Sequence, residues 1–324
     1  MHTLSRRQWL ALSAATLAAA TSARASAQTA DGLKSIQFIV PTPPGTQPDV
    51  IARWLIEPIA QMAGVPGQVL NRPGAAGAIA ADAVLAAAAE TGTLLLGGLD
   101  HVAYSHLNSQ RKALDPLVDF VPAGAVNRDS WLLVASREAG VNDVAGLVAL
   151  ARRGTPLSYA SVGEGTTPHL VTARLCKALG IEALHVPYKD SYMPDLMAGR
   201  IQFAVAPTPA LLGPLRGNRL QPLASLSAER LDLTPQVPSI REAGWPDQVF
   251  HGGLYLFAPA VLTRHVAAIN GWLAEALRRP EIVAHYRQAS IEPTPLSLDQ
   301  VRASVMERLR TSDAMRMAVF GRTR

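Results

Sequence analysis

The chain has 324 residues, of which 48% are hydrophobic and 17% are charged. This balance is typical of a globular protein and excludes a disordered or fibrous chain, and the length suffices for two modest domains. The formal net charge of +5 includes three arginines among the first 27 residues; without them, 27 basic residues face 25 acidic ones, which leaves +2. Because the surplus is small and no basic tract remains, we predict no nucleic-acid partner.

The first 27 residues have the pattern of a signal peptide. Arg6 and Arg7 precede an apolar run from Trp9 to Ala20, and small residues follow at 25–27. The apolar run is shorter than the roughly 20 residues needed to span a bilayer. We therefore expect residues 1–27 to be removed on export. The arginine pair resembles a twin-arginine motif, but ordinary signals carry such pairs too, so the export route stays open.

Helix-like and strand-like stretches alternate along the rest of the chain. SIQFIV (35–40) is a predicted strand, followed by helical spacing from Ile51 to Ile59 with a kink or break predicted at Pro58. A small-residue helix is predicted after NRPGA (71–75). Further strands are predicted at QVL (68–70), TLLLGG (93–98), WLLVAS (131–136), LSYAS (157–161), LHVPY (184–188), IQFAVA (201–206) and LQPLASL (220–226). This alternation predicts an α/β fold with mainly parallel sheets flanked by helices.

Two stretches repeat the order strand, glycine-bearing loop, capped helix. In PTPPGTQPDVIAR (41–53), Thr46 is a candidate N-cap and Asp49 a candidate capping-box acid. In SYASVGEGTTPHL (158–170), Thr167 is a candidate N-cap and Pro168 the first helical residue. Each helix end would present backbone N–H groups to an anion. The alternative for either loop is a plain connection between a strand and a helix.

Metal and catalytic motifs are missing from the sequence. Cys176 is the single cysteine, which excludes an intrachain disulfide, and its helical apolar neighbours favour a buried thiol. His101 and His106 are five residues apart, which does not suit a metal pair on one helix face. There is no Gly-x-Ser-x-Gly elbow, P-loop or dinucleotide fingerprint. We predict no metal, no cofactor and no enzymatic activity.

Seven segments in order resemble the receptors of tripartite tricarboxylate transporters, the Bug family of periplasmic solute-binding proteins. They are PTPPGTQPDVIAR, NRPGAAGAIA, DPLVDFVP, YASVGEGTTPHL, HVPYKD, DLMAGRI and VPSIREAGWP. The resemblance implies a two-domain, type II-like periplasmic binding fold with two crossing strands as a hinge. It also implies a monomeric periplasmic receptor that captures a small organic carboxylate in the interdomain cleft for membrane permease subunits.

The resemblance also suggests domain limits. The crossing strands are expected at WLLVAS (131–136) and GGLYLFAPA (252–260). Domain 1 would then comprise residues 28–131 and 252–324, and domain 2 residues 132–251.

The family's ligand loops can be carried over by position. The first loop gives Gly45, Thr46, Gln47 and Asp49, and the second gives Ser161, Gly163, Gly165, Thr166, Thr167 and His169. Thr46 and Asp190 each replace a glycine that is common in the family. We add Asp190 to the candidate site, because Asp190 or Glu164 would favour an amino-bearing or weakly anionic ligand if it faced the cleft. The alternative is that both acids face solvent.

Two other functions stay open at this point. The chain could be an exported hydrolase-like enzyme, or a ligand-sensing protein that acts on a signalling partner. The missing nucleophile–base constellation argues against the enzyme.

Overall fold

The structure is a computed structural model that describes residues 32–103, 114–188, 191–289 and 291–321. The predicted signal peptide, His106 and Asp190 lie outside these ranges. Within them, no helix combines the length and the apolar character that a membrane crossing requires.

Strands and helices alternate as predicted. The strands are β1 (Ile36–Val40), β2 (Gly67–Asn71), β3 (Thr93–Gly97), β4 (Phe120–Ala125), β5 (Asn127–Ser136), β6 (Ser158–Ser161), β7 (Leu184–Pro187), β8 (Phe203–Pro207), β9 (Leu220–Ser225), β10 (His251–Gly252), β11 (Tyr255–Pro259) and β12 (Ile291–Pro293). The helices are α1 (Gln47–Ala63), α2 (Ala78–Leu85), α3 (Asp100–Ala103), α4 (Val144–Arg152), α5 (Thr167–Leu179), α6 (Met193–Met197), α7 (Thr208–Arg216), α8 (Val266–Ala276), α9 (Pro280–Gln288) and α10 (Leu298–Phe320).

The first sheet has the order β2-β1-β3-β11-β4. Its neighbouring strands β3 and β11 are buried at every position, because both faces of the sheet are covered. Phe38 of β1 packs into the core with α1 and α8, whereas its neighbour Ile39 packs into a second core with α2 and α10. This alternation follows from the two-residue period of a strand.

The second sheet has the order β10-β5-β8-β6-β7, and β9 and β12 also pair with β5. β6 is parallel to β7 and β8, but β5 is antiparallel to all its partners. In the first sheet, β11 is likewise antiparallel to β3 and β4. The α/β prediction is confirmed, but the sheets are mixed rather than mainly parallel, because the crossing strands run against their neighbours.

The molecule has two halves, one built around each sheet, and the long strand β5 passes from the first half to the second. The start of β5, residues 127–130, pairs with β10 and β12, and the rest pairs with β8 and β9. WLLVAS therefore lies inside the second sheet, and the crossing lies just before it. The chain returns through β10 into β11, which belongs to the first sheet.

The C-terminal helix α10 contacts both halves. Val301, Val305 and Leu309 pack into a core of the first sheet, whereas Met315 and Phe320 pack into a core of the second. The sequence predicted only that this segment returns to the first half.

Two local predictions can be compared directly with the structure. Helix α1 continues through Pro58, so the break allowed for at this residue does not occur. Cys176 is buried as predicted, and burial raises the pKa of its thiol to about 12.

Candidate functional site

The two glycine-bearing loops leave the carboxyl ends of parallel strands, one in each sheet. The first loop, residues 41–46, joins β1 to α1, and the second, residues 162–166, joins β6 to α5. Ligands of open α/β sheets bind outside the carboxyl ends of the strands. The loops are therefore placed where a ligand of this fold is expected.

The first loop is fixed by its own hydrogen bonds. The hydroxyl of Thr46 donates to the carbonyl oxygen of Pro43 at 2.7 Å. The hydroxyl oxygens of Thr42 and Thr46 are 2.6 Å apart. The N–H of Gly45 donates to Asp49 Oδ2 at 2.8 Å, and Gly45 has a φ of +82°. A residue with a side chain would be strained at this φ, so glycine is required at the turn.

Asp49 holds this loop together rather than reaching outward. Its side chain is buried and accepts hydrogen bonds from Arg53, Asn71 and Gly45. Burial alone would raise the pKa of Asp49, but the hydrogen bonds from Arg53, Gly45 and Asn71 lower it below its usual value. Asp49 is therefore ionised at neutral pH and its lone pairs are used within the protein.

The second loop has the same geometry. The hydroxyl of Thr166 donates to the carbonyl oxygen of Gly163 at 2.7 Å, and the N–H of Gly165 donates to His169 Nδ1 at 3.0 Å. Gly165 has a φ of +74°. In both loops, a threonine thus bonds the carbonyl three residues back, and the glycine before it bonds a side chain four residues on.

Two capping predictions need correction. The N-cap of α5 is Thr166 rather than Thr167, because the turn at Gly165 places Thr166 in the extended conformation. Thr46 is the N-cap of α1, but neither threonine side chain caps its helix, and Asp49 bonds Gly45 instead of completing a capping box. Both hydroxyls turn back to a loop carbonyl. Neither cap hydroxyl therefore occupies a first N–H group of its helix.

His169 lies behind the second loop in an aromatic cluster. Its ring stacks on His185 with centroids 3.7 Å apart and packs near Tyr159. Burial lowers the pKa of His169 to about 3, with smaller contributions from His185 and Arg316. The imidazole is therefore neutral, as it must be for Nδ1 to accept the hydrogen bond from Gly165. This arrangement makes His169 a residue that shapes the loop.

Ser161 is also directed inward. It is fully buried, lies 2.7 Å from His185 Nε2, and contacts both the N–H and the carbonyl of Gly163. A serine–histidine pair is a hydrolase signature when the hydroxyl is accessible. Here the hydroxyl is enclosed and bonded to the loop, so this pair does not present a nucleophile.

Asp100 meets the second loop from the opposite sheet, and the sequence reasoning missed it. Asp100 begins α3 three residues after the end of β3, and its Oδ2 accepts the N–H of Thr167 at 3.2 Å. Its side chain is 14% exposed. An internal carboxylate therefore occupies the first N–H of α5, at the position proposed for a ligand anion. The sequence feature that could have identified Asp100 is an acid close to the carboxyl end of a parallel strand.

Gln47 makes the corresponding contact from the first loop. Its amide Nε2 donates to Asp129 Oδ2 at 3.3 Å, and Asp129 is a buried residue near the start of β5. The sequence reasoning missed Asp129 too. Burial raises the pKa of Asp129 to about 6, and Arg308, Gln47 and Trp131 each counteract part of that rise.

The structure separates the predicted site residues into two groups. Gln47 and the backbone of Thr167 lie at the two helix ends and contact Asp129 and Asp100. The remaining described candidates shape the loops: Gly45, Thr46, Asp49, Ser161, Gly163, Gly165, Thr166 and His169. Glu164 is exposed, and its charge acts on His185.

A surface groove of about 370 Å³ lies elsewhere on the second half. It is lined by residues such as Arg137, Leu220 and Gln236. β5 leads away from the crossing toward Ser136, so this groove lies at the far end of the sheet from the two loops. We do not assign it to the ligand.

Several known proteins are similar to this chain. The sequence model of the tripartite tricarboxylate transporter family receptor matches residues 51–318. A UPF0065 protein encoded between tcbD and tcbE in Pseudomonas sp. strain P51 is 30% identical over 285 residues, covering 85% of this chain and 83% of that protein. Protein BugT of Bordetella pertussis is 29% identical over 281 residues, covering 85% and 86%. The structure of Rhodopseudomonas palustris Rpa4515 with adipate superposes with a TM-score of 0.78 at 28% identity, covering 87% of this chain and 96% of that one. The chain therefore belongs to the family of tripartite tricarboxylate transporter receptors.

Proposed function

We propose that this chain is a periplasmic receptor that captures a small organic carboxylate between its two halves and passes it to the permease subunits of a tripartite tricarboxylate-type transporter. The observation that carries the proposal is the repeated loop geometry at the starts of α1 and α5.

The physical basis is the helix end. The first N–H groups of a helix have no partner within it, and the helix dipole adds a partial positive charge there. Pro48 and Pro168 lie at the starts of the two helices, where a missing N–H has little cost. Because the loops are fixed before binding, less entropy is lost when an anion is bound. The solved relative Rpa4515, which holds adipate, supports an acid as the ligand class.

We propose that the ligand is an acid that is weakly anionic or carries an amino group. Three acids lie at or beside the loops: Asp49, Asp100 and Asp129. Arg53 pairs with the first of them, and Arg308 acts on the third through space. A strongly anionic ligand would be repelled by the negative charge of Asp100 and Asp129, which no ion pair of this kind compensates among the described residues.

We propose the domain limits that the family resemblance implies: residues 28–131 with 252–324, and residues 132–251. Pairing of β4 and β11 in the first sheet and of β8 and β9 with β5 in the second supports them. Ligand contacts from both domains would favour a closed form, because only that form makes both sets of contacts.

The periplasmic part of the proposal includes removal of residues 1–27, by the general or the twin-arginine route. Mass spectrometry of protein recovered from the periplasm should give a chain that starts at or near Gln28. A mature chain that still contains Arg6 and Arg7 would contradict it.

The receptor is tested by titration calorimetry and thermal shift across a panel of carboxylic acids and neutral analogues. A ligand that is not converted should raise the unfolding free energy by RT ln(1 + [L]/Kd). Small-angle scattering should show a smaller radius of gyration for the protein with ligand than without it. Conversion of the ligand during the titration would favour the enzyme. Binding with no change in the radius would contradict domain closure.

A further inference from the structure

One face of the crossing strands carries a carboxylate and an indole side by side. Asp129 of β5 is directly opposite Gly252 of β10, and Trp131 is two residues further along the same strand. Because successive side chains of a strand alternate between its faces, Asp129 and Trp131 point to the same side.

Gly252 leaves room for these two side chains to converge. A Cβ atom at position 252 would lie 2.1 Å from Trp131 Nε1 and 2.6 Å from Asp129 Oδ1. The acceptor and the donor therefore meet above the glycine, next to Gln47 at the start of α1. The side chain of Gln47 thus links the start of α1, next to the first loop, to Asp129.

Neither of the converging atoms has its hydrogen-bonding capacity used. Asp129 is 4% exposed and Trp131 is 5% exposed. Asp129 Oδ2 accepts from Gln47, but within the described ranges Asp129 Oδ1 and Trp131 Nε1 have no hydrogen-bond partner. The indole N–H is close enough to favour the ionised carboxylate but is not in hydrogen-bonding geometry. Buried groups of this kind are costly and usually have partners.

The charge of Asp129 is also incompletely balanced. Arg308 donates to the carbonyl oxygens of His251 and Gly252 at 2.9 and 2.7 Å, so it acts on Asp129 through space. Burial lowers the pKa of His251 to about 4, with Arg128 and Arg308 adding to the effect, so His251 supplies no positive charge at neutral pH. A cationic group at Asp129 Oδ1 would remove the imbalance.

We propose that Asp129 Oδ1 binds the ammonium group of an amino-bearing carboxylic acid whose carboxylate lies at the first loop, and that Trp131 Nε1 donates to an oxygen of the same ligand. This deepens the proposed function and rests on it. Gln47 belongs to the first half and Trp131 to the strand that enters the second, so opening of the cleft would give the ligand access to this face.

The test compares acids that differ in one substituent. Titration calorimetry uses succinate, malate and aspartate, then glutarate, 2-hydroxyglutarate and glutamate, with wild type and Asp129→Asn. In wild type, each amino acid should bind about tenfold or more tightly than its unsubstituted and hydroxylated counterparts, because a charge-assisted hydrogen bond contributes at least this much. In Asp129→Asn the preference should disappear. Asp143→Asn, which changes an exposed helix-capping carboxylate, is the matched control and should keep it.

A second comparison needs no variant at this buried position. N-acetylaspartate keeps both carboxylates of aspartate but lacks its positive charge, so wild type should bind it at least tenfold more weakly. The proposal is overturned if acids bind without preference for the amino group, or if Asp129→Asn keeps that preference; the receptor function would then still stand. If no acid of any class binds, the receptor function itself fails.

Discussion

Replacement of Asp100 by asparagine should strengthen the binding of a carboxylate ligand. In the structure, Asp100 Oδ2 accepts the N–H of Thr167 at 3.2 Å, which is the first N–H of α5. A ligand carboxylate at this helix end has to displace the aspartate or share the position with it. Asparagine keeps the size of the side chain and removes its charge, so the competition is reduced.

The magnitude follows from Coulomb's law. Two carboxylates about 5 Å apart at an effective dielectric constant of about 20 repel by roughly 3 kcal/mol. Asp100 is 14% exposed, so water and salt reduce this repulsion, and we take about 1 kcal/mol as the lower bound. The expected gain in affinity is therefore roughly fivefold to a hundredfold.

Calorimetry at low and at high salt would measure this gain, with the best acid of the panel as ligand. The gain should shrink as salt is added, because the repulsion is partly screened. Asp143→Asn is again the matched control, since Asp143 also accepts a helix N–H, that of Gly146, at 2.6 Å. The Asp143→Asn variant should bind the ligand with the affinity of wild type. Unchanged or weaker binding by Asp100→Asn would show that Asp100 supports the site instead of competing for it.

Three further outcomes concern stability. Thr46→Ala and Thr166→Ala should each lose about 1 kcal/mol of unfolding free energy in urea, because each removes a hydroxyl bonded to a loop carbonyl at 2.7 Å. Thr167→Ala should lose less, and an equal loss would contradict the reassigned N-cap. The pKa of His169 is lowered to about 3, so the unfolded state binds its proton first, and stability should fall as pH drops from about 6.5, by up to about 1.4 kcal/mol per pH unit. His169→Gln should show a shallower fall, and an identical pH profile would argue against this linkage. The pKa of Asp129 is raised from 3.8 to about 6, so the folded state keeps its proton to higher pH than the unfolded state does. The unfolding free energy of wild type relative to Asp129→Asn should therefore fall as the pH rises from about 4 to about 6. A constant difference over that range would refute it.

The sequence was sufficient to locate both loops because their signals are local. A glycine followed by threonine and a proline-opened helix, after an apolar strand, has few other structures available. The pattern also predicted the α/β class and the burial of Cys176 correctly.

The bonds inside the loops could not be predicted in the same way. A threonine hydroxyl can cap the helix or bond a loop carbonyl, and the two choices differ by little energy. At Thr46 and Thr166 the carbonyl is preferred, because Gly45 and Gly165 turn the preceding backbone toward the hydroxyl. The N-cap of α5 lies one residue earlier than predicted because the turn at Gly165 leaves Thr166 in the extended conformation.

Asp100 and Asp129 were missed for a different reason. Each meets its loop across a long sequence separation, Asp100 at Thr167 and Asp129 at Gln47. Such contacts depend on how distant segments of the chain pack together, which leaves no period or motif in a single sequence. Their residue type, an acid next to or within a buried strand, was the visible sign.

Helix α10 gives the molecule a third connection between its halves, in addition to the two crossing strands. Rotation about those strands must bend this helix or detach its last turns from α5. Detachment would expose the buried Met315, at a cost of roughly 1.5–3 kcal/mol, and the half-buried Phe320, at a smaller cost. Under the proposed domain closure, the balance between open and closed forms is thus set partly at a position remote from the candidate site. Sequence changes there would shift the apparent affinity for every ligand by the same factor, while selectivity among ligands stayed constant.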